Sequence, residues 1–103
     1  MSAEKFVKSF YNEKETMLKV YCSTDSDSEV ATLIKSLKLS DEQFLILKRI
    51  LNNSFTDIFY TILLGLDGNA SIGGIQETYN IKDEKGNQIS GKIEEFAYQY
   101  FQE

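Results

Sequence analysis

The fold class turns on the segment TYNIKDEKGNQI, Thr78–Ile89. Thr78-Tyr79-Asn80-Ile81-Lys82 alternates with period two, as a half-buried strand does. Asp83-Glu84-Lys85-Gly86 follows as a turn, in which Gly86 can supply a positive φ. Asn87-Gln88-Ile89 then returns as a second, shorter strand. The pattern predicts one antiparallel β-hairpin. Two strands alone are marginal in water, so the hairpin must lie on a helix or find an edge on another molecule.

Downstream, Ser90 reads as the cap of a C-terminal helix with Ile89 as the apolar residue before it. Ile93, Phe96, Ala97, Tyr100 and Phe101 form its stripe, and Glu94 and Glu95 suit the positive end of its dipole. Upstream, Phe55 to Leu66 carries apolar residues all round the axis, which predicts a central core helix. Asn52-Asn53 precede it, and Ser54 and Asp57 are spaced as a second capping box. The helix from Ser40 is therefore expected to break and restart there. Ser40 and Gln43 form the clearest capping box, with Phe44, Leu47, Ile50 and Leu51 as the stripe. A shorter helix is expected over 28–37, and a first helix from Ala3 to about Cys22 capped by Ser2. The end of that first segment, MLKVYC, also has strand character, but helix is favoured. The expected architecture is a single α+β domain, 1–103, mostly helical, with one antiparallel hairpin before a C-terminal helix.

A chain of 103 residues with 42% apolar content and no proline can bury one core. Cys22 is the sole cysteine, so no intramolecular disulfide forms and a reducing, cytoplasmic location is expected. The longest apolar run, FYTILLGL, is far short of the roughly 20 residues of a membrane helix. The net charge is -5. Residues 1–51 balance their acids and bases, so the whole excess falls in 52–103, where Lys82, Lys85 and Lys92 are the only bases. That half repels phosphate backbones and attracts basic surfaces, which argues against nucleic acid and for a basic partner.

The segment LDGNASIGGIQE, Leu66–Glu77, spaces Asp67, Asn69 and Ser71 as in a calcium loop. Position six is Ile72 instead of glycine, and position twelve is Thr78 instead of glutamate. A helix stop and turn is the better reading, with no metal. Asp25, Asp27 and Glu29 fail the same count and suit helix capping. The chain has no histidine, which removes the imidazole bases of the common Ser and Cys nucleophiles and the usual zinc sites. Glu94 and Glu95 are adjacent on a helix and point apart. Gly73-Gly74 lacks the spacing and lysine of a phosphate loop. No catalytic residue and no cofactor is expected.

The runs FTDIFYTILLGLDG and YNIKDEKGNQISGKIEEFAYQYF together resemble a pattern of small acidic bacterial proteins of the immunity, toxin-neutralising type. The resemblance spans Phe55 to Phe101 and lies in a helix ending in LDG, a DEKG turn and a closing amphipathic helix. It implies stoichiometric binding of a toxin and specifies no binding residues.

The expected function is a non-catalytic protein-binding module that meets a basic partner through its acidic second half. Asp57, Asp67, Glu77, Asp83, Glu84, Glu94 and Glu95 would steer, and Tyr79 and Tyr98 would supply contact area. Two alternatives stand beside it: a homo-oligomeric structural protein, and a metal or small-ligand binder at the 67–77 loop.

Overall fold

A computed structural model describes all residues, Met1–Glu103, as four helices: α1 Ala3–Cys22, α2 Glu29–Ser36, α3 Asp41–Leu66 and α4 Ile93–Phe101. Three serines start three of them. The Ser2 hydroxyl accepts the Lys5 amide at 3.1 Å and the Ser28 hydroxyl the Ala31 amide at 3.1 Å. At α3 the capping box closes both ways: Ser40 Oγ accepts the Gln43 amide, and Gln43 Oε1 accepts the Ser40 amide at 3.0 Å. None of the four helices is long and apolar enough to cross a membrane.

The expected hairpin does not form, and the α+β assignment is corrected to a mostly helical fold. Helix covers 61% of the chain and strand 4%, with no sheet. Two isolated bridges, Ile72 to Ile75 and Lys82 to Gln88, are all that pairs. The reason lies around Ile81. Its carbonyl accepts both the Ile89 amide (2.9 Å) and the Ser90 amide (3.3 Å), and its own amide goes to the Ser90 hydroxyl (2.9 Å). The ladder therefore ends after one rung. Thr78, Tyr79 and Asn80 are exposed, and no third strand is present to cover them. What remains is the turn, closed by the Gly86 amide on the Asp83 carbonyl, with Gly86 at φ +86°.

Two further readings are corrected. Helix α3 runs unbroken through Asn52-Asn53, since mid-helix asparagine costs only tenths of a kcal/mol and the second capping box is not needed. Nor is the Phe55–Leu66 stretch buried on every side: Leu63 and Gly65 are its only buried residues, and Ile58 is exposed. The core is instead Ala3 and Val7 of α1, Leu63 of α3, Ile89, and Ile93, Ala97 and Phe101 of α4. Aromatic rings pack round it, with Phe10 edge-on to Phe59 at 5.9 Å and Phe59 edge-on to Phe101 at 6.4 Å. Helix α2 packs on α1 alone. The radius of gyration is 16.3 Å, against about 13 Å for a compact domain of this length, so the molecule is elongated.

Candidate functional site

The segment after α3 is organised by Asp67. The helix closes with a Schellman motif, in which the Asn69 amide reaches the Leu64 carbonyl and the Gly68 amide the Gly65 carbonyl. Gly68 sits at φ +80°, which glycine adopts without strain. This turn aims the Asp67 carboxylate at the start of α4. It accepts the backbone amides of Gly91 and of Glu94, the latter at 2.9 Å. Asp67 therefore does the capping that the sequence pattern assigned to Ser90. Ser90 is buried, and its hydroxyl takes the Ile81 amide and the Gln88 side-chain amide instead. Asn69, the second member of the calcium-like triplet that begins at Asp67, donates its side-chain amide to Glu94 Oε2 at 2.7 Å. No group of three or more acidic or cysteine side chains is close enough to hold a metal ion.

Asp83 is likewise engaged within the chain. Its carboxylate pairs with the N-terminal amine and accepts the Lys85 amide (2.9 Å), the Asn87 amide (2.8 Å) and the Asn87 side chain (2.8 Å). The amine first, then Asn87, hold its carboxyl far below the usual carboxylate range.

Four of the nine residues nominated from sequence come together. Asp67, Glu94, Glu95 and Tyr98 line one shallow hollow where the end of α3 meets α4, and Tyr60 of α3 and Glu103 are also on its wall. Lys92 is the one base on its wall. Asp67 and Glu94 are pinned by the contacts above, while Glu95 and Tyr98 are exposed. Asp57 lies outside the hollow on α3; Glu77, Tyr79 and Glu84 are exposed residues of the 67–92 connection. The sequence pattern did not single out Glu103 for the site. The signal for Tyr60 was a ring able to reach the surface of the Phe55–Leu66 helix beside Asp57.

A second concavity runs between the C-terminal part of α1 and the N-terminal part of α3. Leu18, Cys22, Leu45 and Ile46 form its apolar floor, and Glu42 and Arg49 are among the charges on its rim. Burial pushes the Cys22 thiol up, with Lys48 opposing, so Cys22 is a neutral apolar wall.

Comparison with protein-family models, curated proteins and solved structures finds no match to this chain.

Proposed function

We propose that the chain is a non-catalytic protein-binding module of the cytoplasm, whose hollow between α3 and α4 receives a basic side chain of another protein. The observation that carries this reading is the convergence of Glu94, Glu95 and Glu103 with Tyr60 and Tyr98 on one concave surface. A guanidinium or ammonium entering it meets carboxylates for charge pairing and a tyrosine ring for stacking. Asp67 and Asn69 hold the α4 end of the hollow in place before a partner arrives, which lowers the ordering cost of binding. The likeness to immunity-type proteins makes a basic toxin the specific partner proposed.

Affinity capture from the native cell tests this. A basic protein should be retained at low salt by the wild-type chain, and association should slow steeply as salt rises. Tyr98→Ala should weaken that binding by about tenfold or more, as loss of a central aromatic does. Glu95→Lys should abolish it. A partner bound equally by both variants and indifferent to salt would count against the hollow.

A further inference from the structure

The N-terminal part of α3 is apolar yet uncovered. From Asp41 to Ile62 no residue is buried, although Phe44, Leu45, Ile46, Leu47, Ile50 and Leu51 fall within it. Leu45 is 61% exposed, Ile46 51% and Ile50 55%. Its apolar residues extend beyond the stripe of Phe44, Leu47, Ile50 and Leu51 to Leu45 and Ile46, which are left uncovered. The whole surface shows the same deficit. A compact monomer of 11.8 kDa exposes about 5900 Å², whereas this chain exposes 7114 Å². The excess is larger than the roughly 800 Å² per partner that a stable interface buries.

The charges beside the exposed pair indicate what covers it. Glu42, Ile46, Arg49 and Asn53 are spaced by four, three and four residues, so they share one face of α3. Leu45 and Ile46 lie midway between Glu42 and Arg49. Neither Glu42 nor Arg49 forms an ion pair within the chain, whose ion pairs are Met1 with Asp83 and Lys14 with Glu15. An acid and a base on opposite sides of an apolar centre form a pattern that is its own complement when reversed. That is the requirement for a two-fold, isologous contact. A foreign partner would have to supply this match; a second copy brings it.

We propose that a second copy of this chain lies antiparallel along α3, its Leu45 and Ile46 meeting those of the first across a two-fold axis. Glu42 of each copy then faces Arg49 of the other. Leu18 and Cys22 of α1 wall the contact on one side. This face is separate from the hollow at α4, so either assignment can fail without the other.

Sedimentation velocity between about 1 μM and 1 mM tests it, on wild type, Glu42→Arg, Arg49→Glu, the double reversal and Leu45→Lys. Far-UV circular dichroism checks that each variant is folded; all three positions are exposed. The wild type should dimerise. Each single reversal places like charges opposite each other and should weaken the dimer about tenfold or more. The double reversal should return to within about threefold of wild type, because the two sites are coupled. Leu45→Lys should be monomeric. A wild type that stays monomeric throughout overturns the proposal. So does a double reversal no tighter than the singles, or a dimer that Leu45→Lys leaves intact.

Discussion

The Asp67 carboxylate accepts the Glu94 backbone amide at 2.9 Å, so the residue that ends α3 also begins α4. One side chain thus fixes the angle between the two helices that frame the acidic hollow. Removing a cap costs about 1 kcal/mol, and up to about 2 in a protein. Asp67→Ala should lower stability by about 1–2 kcal/mol, read as a fall in Tm of roughly 4–8 °C per kcal/mol for a domain near this size. Asp67→Asn keeps an acceptor and should lose less than half as much. Equal losses in the two variants would refute the capping role.

Gly65 is buried in the last turn of α3 under Ile72. A Cβ added there would lie 2.3 Å from Ile72 Cγ1 and 2.6 Å from its Cδ1. Alanine gains about 1 kcal/mol of helix propensity over glycine, but overpacking costs about 1–3 kcal/mol. The clash wins, and Gly65→Ala should destabilise by about 1 kcal/mol net. Ile72→Ala in the same chain should recover part of that loss. A double-mutant cycle reads this coupling directly, and strict additivity would show that Ile72 does not rest on Gly65.

Two half-buried groups set opposite pH limits. Asp83 has a folded pKa held below its ordinary 3.8 by the N-terminal amine and Asn87. Its contribution is present above 3.8 and is lost as pH falls through the lowered value. The Tyr100 hydroxyl donates to Glu4 at 3.0 Å, which raises the phenol pKa above its ordinary 10.0. Its contribution is full below pH 10 and is lost as pH rises through the raised value. Denaturation against pH should therefore show Asp83→Asn flattening the acid limb and Tyr100→Phe the alkaline limb. A Tyr100→Phe curve that parallels wild type above pH 10 would remove Glu4 as its partner.

Lys38 is the one non-glycine residue with positive φ, at 51°, in the link between α2 and α3. A β-carbon in that conformation costs roughly 1–2 kcal/mol, which glycine avoids while losing more entropy on folding. Lys38→Gly should be more stable by about 0.5–1 kcal/mol, measured by urea denaturation. A loss of stability would mean that the Lys38 side chain holds the link in place.

The residues that made the sequence readable are those whose partners are near in the chain. Ser2, Ser28 and Ser40 cap helices through amides three residues on, and the Ser40–Gln43 box was visible as a spacing. The failures are non-local. Ser90 looked like the cap of α4 because it precedes it, but Asp67, 27 residues before Glu94, holds the amide. Ile81 and Ile89 alternate with polar neighbours as strand residues do, but a ladder needs neighbours that this chain lacks. The apolar residues round Phe55–Leu66 predicted burial on every side, but only Leu63 and Gly65 are buried there. Three other helices, two of them under ten residues, do not surround a helix of 26 residues. In the acidic half, charge patterning identified Asp67, Glu94 and Glu95, and helical spacing Tyr98, which the fold gathers. It also nominated Asp83, whose charge is already met by the N-terminal amine.

Lys14 gives the last test, because it sets a buried charge against its compensation. It is 6% exposed, with its ammonium 3.2 Å from Thr56 Oγ1, 4.7 Å from the Tyr11 ring centroid and 5.6 Å from that of Phe101. The carboxylate paired with it, Glu15, is 3.9 Å away and 46% exposed. Burying an ammonium costs several kcal/mol even after relaxation. Two cation–π contacts at about 1–2 kcal/mol each and one hydrogen bond at about 1 kcal/mol offset most of that. Methionine keeps the stem, fills the same space and removes the ion. Lys14→Met should therefore be as stable as wild type or better by about 1 kcal/mol, the Thr56 hydroxyl turning to its own helix. Lys14→Ala leaves a void under Tyr11 and Phe101 and should lose about 2 kcal/mol or more. If urea denaturation finds Lys14→Met less stable than wild type by over about 1 kcal/mol, the aromatic contacts outweigh the desolvation.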